Sequence, residues 1–114
     1  MYNKELLKGT LTTIVLKLLA KEGKMYGYEL AQKVKEMSDE KILLKDGSLY
    51  PALHKLTKDG LLQFEEQYIG KRVRKYYYLT PAGTEREQVE SEQLKAFMST
   101  LKNMLFPDFN FQLQ

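Results

Sequence analysis

GSLYPALHKLTKDGLLQFEEQYIGKRVRKYYYLTPAG, Gly47 to Gly83, changes its hydrophobic period twice, and those changes decide the fold. Its first part carries Leu49, Ala52, Leu53 and Leu56 at helical spacing and closes at Asp59-Gly60, where glycine suits the left-handed turn that ends a helix. The spacing predicts a helix from about Gly47 to Lys58. Its start stays open, because Pro51 belongs in a first turn, where it has no hydrogen bond to lose. Next, Leu61 to Ile69 and Val73 to Thr80 are dense in Tyr, Phe, Val and Ile and flank Gly70-Lys71-Arg72, the pattern of a β-hairpin. Thr80-Pro81 then supplies an N-cap and a proline at the first helical position, opening a last helix that runs to about Phe106 and stops before Pro107.

Upstream lie two more helical patterns. Thr10 to Glu22 repeats Leu11, Ile14, Val15, Leu18 and Leu19 on one face, with Thr10 as the expected N-cap and Gly23 as the stop. Tyr26 to Ser38 places Gly27, Leu30, Ala31, Val34 and Met37 together, with Glu29, Lys33 and Glu36 facing away. Asp39 to Lys45 connects this helix to the next. Three helices, a hairpin and a long helix give a mainly α chain with a small β-hairpin (α+β). This is the order of a winged helix-turn-helix, whose third helix enters the DNA major groove while the hairpin wing touches phosphate or minor groove. The division expected is 1–80 for the winged helix-turn-helix DNA-binding domain, 81–106 for a C-terminal dimerisation helix and 107–114 for an aromatic tail.

Composition narrows the function classes. The 114 residues are 43% hydrophobic and 29% charged, which suits one soluble domain. No cysteine is present, so disulfides, zinc fingers, iron–sulfur clusters and thiol nucleophiles are excluded, and a single histidine leaves little room for a metal enzyme. Ser48 lies about 120° around the helix from His54, too far for a nucleophile and its base. Phosphate-binding glycine loops and dinucleotide fingerprints are absent too, so neither enzymatic activity nor a cofactor is expected. The longest apolar-rich run, Leu11 to Ala20, is shorter than the roughly 20 residues of a membrane span, and a cytoplasmic location is expected.

The net charge of +3 is small, but it is unevenly spread: residues 1–80 carry +5 and residues 81–114 carry −2. Lys71, Arg72, Arg74 and Lys75 fall within five residues of the wing, a self-repelling cluster that an anion would relieve; an ordinary charged turn is the alternative. The outward face of the third helix offers Ser48, Tyr50, His54, Lys55 and Lys58 beside Gly47 and Pro51. Such residues suit phosphates and base edges, and equally a solvated helix face. Tyr76 to Tyr78 read better as packing, with Tyr77 and Leu79 inward, than as stacking platforms. Tyr26 and Tyr28, at the start of the second helix, either lend a hydroxyl to a phosphate or are boundary aromatics. On the last helix, Val89, Leu94, Phe97, Met98, Leu101, Met104 and Leu105 form an apolar stripe too long for the domain's own core, which a second copy would cover; folding back on its own domain is the alternative. In the tail, Phe106, Phe109, Phe111 and Leu113 are expected to pack, adding to that surface or lining a pocket; a partly disordered tail is the alternative.

Several strings carry a family resemblance. KGTLTTIVLKLLAKEG (Lys8 to Gly23), YGYEL (Tyr26 to Leu30), GSLYPALHKLTKDGLL (Gly47 to Leu62) and RKYYYLTPAG (Arg74 to Gly83) resemble, in order, blocks of the PadR family of bacterial transcriptional regulators, small members with one C-terminal helix. The resemblance implies a homodimeric repressor on inverted-repeat double-stranded DNA operators. It implies DNA contacts at Tyr26, Ser48, Tyr50, His54, Lys55, Lys71 and Arg72; Lys58, Arg74 and Lys75 join them on charge alone. It also implies a small aromatic or hydrophobic effector, for which Phe97, Met98 and Phe106 are the candidate residues. Two departures stand out. The absence of Trp removes a drug site built on paired indoles, and Lys45-Asp46 replaces the small hydroxyl residue that often opens the recognition helix. The second function class is a winged helix that binds an acidic protein instead of DNA.

Overall fold

A computed structural model describes residues 2–110. Its elements are α1 (Lys4–Lys8), α2 (Leu11–Glu22), α3 (Gly27–Met37), α4 (Asp46–Lys58), β1 (Leu62–Ile69), β2 (Arg72–Leu79) and α5 (Pro81–Leu105). The α1 turn is an addition to the sequence reading. Asn3 Oδ1 caps it by accepting from the Glu5 amide at 2.7 Å, but five residues are too few to show a period.

The core joins Val15, Leu16, Leu18 and Leu19 of α2, Leu30 and Val34 of α3, and Leu49, Leu53 and Leu56 of α4 with Met25, Leu61, Leu62 and Tyr77. Each fully buried leucine contributes about 1.5–3 kcal/mol over its exposed state. Tyr77 faces inward as expected, with Leu79 packed at the core's edge. Met37 does not, being exposed at the end of α3. In the α3–α4 connection Asp39 and Glu40 take positive φ, and Ile42 and Leu44 reach back to the core.

Several boundaries move. The third helix begins at Asp46, so it opens on an acid, and Pro51 sits in its sixth position instead of its first turn. The carbonyl deprived of the Pro51 donor belongs to exposed Gly47, where water can serve it. Thr10 occupies the N-cap position of α2 without capping; its hydroxyl donates to the Leu7 carbonyl instead. Gly23 and Gly60 end α2 and α4 at φ 83° and 79°, as their positions predict. Arg72 is not in the hairpin turn. It pairs with Ile69 as the first residue of β2, and Gly70-Lys71 make a two-residue turn with Gly70 at φ 64°. Leu61 and Thr80 lie just outside the antiparallel ladder, which runs from Leu62↔Leu79 to Ile69↔Arg72.

Two junctions position the wing. Met25 and Tyr77 exchange backbone hydrogen bonds of 3.1 and 2.9 Å, which seats the start of α3 against β2. Thr80 donates its hydroxyl to the Gly60 carbonyl at 2.7 Å, accepts from the Gly83 amide at 3.0 Å and donates its own amide to the Leu61 carbonyl. One threonine therefore caps α5 and ties it to the end of α4. The first turns of α5 pack on α2, where the buried Glu87 carboxylate meets Lys17 Nζ at 3.6 Å and the Thr13 hydroxyl donates to Glu90 at 3.0 Å. Only the carboxylate side of this pair is buried; Lys17 stays largely exposed.

Candidate nucleic-acid interface

Because Leu49, Leu53 and Leu56 turn α4 inward, Gly47, Ser48, Pro51, His54, Lys55 and Lys58 are exposed on its other side. Tyr50 is exposed too, but its ring also lies over Gly27, the first residue of α3. The wing rises beside this helix, with Lys71 in the turn and Arg72 next to it, both exposed.

Between α4, the start of α3 and the wing runs a groove of about 390 Å³ lined by Tyr26, Gly27, Tyr50, His54, Glu66, Val73, Arg74, Lys75 and Tyr77. Five of the residues singled out from the sequence thus come together from three separate segments: Tyr26, Tyr50, His54, Arg74 and Lys75. Ser48 and Lys58 lie outside the groove on the same helix. Lys55 is engaged with Asp59 at 3.2 Å, an exposed pair four residues apart.

The cations of the wing are unequally held. Arg74 lies with its guanidinium carbon 4.4 Å from the centre of the Tyr26 ring. That ring in turn meets Tyr76 edge-on at 5.3 Å and stacks with Tyr28 at 6.4 Å. The Tyr76 side chain, as a hydrogen-bond partner, raises the Arg74 pKa above its ordinary value despite some desolvation. Lys75 Nζ sits 4.6 Å from the Phe64 ring centre, and Glu66 stands opposite Lys75 in the ladder. At the foot of the wing Lys24 pairs with Glu65 at 3.0 Å, and this hydrogen bond is the main cause holding the Glu65 carboxyl below the usual carboxylate value. Burial, with a smaller contribution from Tyr50, pushes the Tyr77 phenol up.

Gly27, which the sequence places only on the apolar face of its helix, and Glu66 were not expected in the groove. A glycine between two tyrosines at a helix start was the available signal for the first; Glu66, on a strand of alternating character, gave none.

Far from the groove, Val89, Phe97, Met98, Met104, Leu105 and Phe106 are exposed, while Leu94 and Leu101 are half-buried. Phe109 is exposed as well; Phe111 and Leu113 lie outside the described residues. Among the described residues no His, Asp and Glu come together in threes able to hold a metal ion, and no helix is long and apolar enough to cross a membrane.

Comparison with known proteins adds an independent line. Residues 15–89 match the transcriptional regulator PadR-like family. A transcriptional regulator of Mycobacterium tuberculosis is 39% identical over 64 residues, which span 56% of this chain and 57% of that protein's length. Among solved structures, a transcriptional regulator from Clostridium thermocellum superposes with a TM-score of 0.83 at 27% identity, covering 90% of this chain and 99% of that one. A PadR-like transcriptional regulator from Bacillus cereus gives 0.75 at 28% identity, over 90% and 98% of the two chains.

Proposed function

The chain belongs to the transcriptional regulator PadR-like family, and from that premise we propose that it binds an inverted-repeat DNA operator as a cytoplasmic homodimer and represses the genes beside it. The observation that carries this reading is the shared groove, in which Tyr50 and His54 of α4 lie beside Arg74 and Lys75 of the wing. A DNA strand passing between recognition helix and wing would meet base-reading and phosphate-binding groups together. Ser48, Lys55 and Lys58 extend the α4 contact, and Lys71 and Arg72 reach the neighbouring backbone from the wing tip. Dimerisation through Val89, Leu94, Phe97, Met98, Leu101, Met104 and Leu105 would set two recognition helices about one DNA turn apart.

Selection of bound fragments from a genomic library tests the reading. The expected result is a palindrome with half-sites about 10–11 base pairs apart or a multiple of that. Retention of no preferred sequence would favour a protein-binding winged helix instead. Repression is checked by placing the selected sequence in a promoter upstream of a reporter, where expression of the protein should lower the output. The exposed Phe97, Met98 and Phe106 suit a small aromatic effector. Phenolic acids and planar dyes titrated against the protein–operator complex should release it, and no release by any of them would leave these side chains to the interface alone.

A further inference from the structure

Arg74 is the wing cation whose side chain is fixed against a different part of the fold. Lys71 and Arg72 project from the tip, and Lys75 leans on Phe64 of its own hairpin. Arg74 instead lies over Tyr26, at the start of α3, and lines the groove with Tyr50 and His54. Among the described residues no carboxylate stands within ion-pair distance of it, and the nearby Glu29 spends Oε1 on the Tyr26 backbone amide at 3.1 Å. With its Cζ held over the Tyr26 ring and one side met by Tyr76, the guanidinium still has N–H groups left to donate to an anion. Ordering such a side chain costs rotamer entropy, which the ring contact offsets in advance.

We propose that Arg74 binds a backbone phosphate of the DNA in the groove between wing and α4, and that Tyr26 is its positioning residue, acting through the face of its ring and not through its hydroxyl. The inference rests on the DNA-binding reading above and deepens it. It divides two residues that the sequence offered as equivalent contacts: the ring of Tyr26 is covered by Arg74 on one side and abutted by Tyr76 and Tyr28, so its chemistry is spent within the protein. It also separates Arg74 from the tip cations, whose contacts would be mobile and sequence-independent.

The test uses the full chain and the duplex recovered by selection. Arg74→Ala should weaken binding about tenfold to a hundredfold and flatten the plot of log affinity against log salt by about 0.9. Arg74→Lys should keep the slope and still lose affinity, because the charge stays while the stacked fork is gone. Tyr26→Phe should bind within about twofold of the parent, since the ring face is retained; Tyr26→Leu should approach Arg74→Ala. Neutralising single phosphates as methylphosphonates should reveal one position per half-site that costs the parent as much as Arg74→Ala does and costs that variant nothing more. Thermal melting of each variant separates these losses from unfolding. The proposal is overturned if no such phosphate exists, if Tyr26→Phe is as damaging as Tyr26→Leu, or if inorganic phosphate alone saturates the groove in an Arg74-dependent way. Failure of the parent chain to select any sequence would instead remove the DNA-binding reading itself.

Discussion

The ring of Tyr50 rests on Gly27: a Cβ built on that glycine would come within 2.6 Å of the Tyr50 hydroxyl oxygen and 2.8 Å of ring carbons Cε1 and Cζ. Recognition helix and α3 therefore touch through a residue that has no side chain, and the YGY string of the sequence gains a physical reason. The atoms in conflict are the far end of a half-free side chain, so Gly27→Ala should swing Tyr50 aside without unfolding the domain. Melting should change little while operator affinity falls, and adding Tyr50→Ala should cost nothing further, since both changes displace one ring. A large drop in melting temperature would mean that Tyr50 is structural instead.

Gly83→Ala should behave in the opposite way. Its Cβ would strike the Leu61 carbonyl oxygen, a backbone atom already fixed by the Thr80 amide at 3.1 Å. Neither partner can rotate away, and overpacking of this kind costs about 3 kcal/mol. At roughly 4 °C per kcal/mol, a calorimetric scan should show the melting temperature lower by about 12 °C. A shift of a degree or two would contradict the tight junction.

These two glycines mark how far the sequence could be read. Hydrophobic period located every long element, because Leu49, Leu53 and Leu56, or the Tyr77 and Leu79 pair, report which way a face turns. It could not place Arg72, since a cation before an alternating run suits a turn and a strand end equally, and pairing across to Ile69 decided the matter. Glu87 lies in a charged stretch of α5 that gives no local sign of burial. It is buried where α5 packs on α2 and meets Lys17, seventy residues away, and such a partner leaves no local trace. The groove was legible only as separate pieces: Tyr26, Tyr50, His54 and Arg74 were each nameable, but their convergence comes from the Met25–Tyr77 bridge.

Replacing both Lys71 and Arg72 by Ala should weaken binding to every duplex alike. Tip cations exposed to solvent give charge neutralisation without base readout, so the salt slope should fall by about 0.9 for each phosphate that is no longer neutralised. Affinity ratios between the selected duplex and a scrambled one should stay constant. An unchanged slope would take the wing tip away from the DNA.

Tyr77 supplies a pH dependence. Burial raises its phenol pKa above the ordinary value near 10, so the folded state holds this proton more tightly than the unfolded chain does. The stabilisation is complete below about pH 10 and is lost as pH rises through the folded value. Tyr77→Phe should therefore show a shallower decline in urea-melt stability above about pH 10 than the parent; superimposable alkaline limbs would dissociate Tyr77 from that loss.

Leu101→Glu probes the long helix. Leu94, Leu101 and the exposed Phe97, Met98, Met104 and Leu105 recur on α5 at helical spacing, so a second copy related by a two-fold axis would place the altered side chains of both subunits in one apolar seam. Burying paired carboxylates there costs several kcal/mol, enough to split a dimer at micromolar concentration, and sedimentation should report monomers. The α2–α5 contacts through Glu87 and Glu90 lie two or more turns away, so each monomer should melt as a folded unit. Binding to a single half-site should survive, while the full palindrome loses the gain from linkage, about 10²–10⁴ in affinity. A variant that remained dimeric and bound the palindrome normally would move the interface off this face of α5.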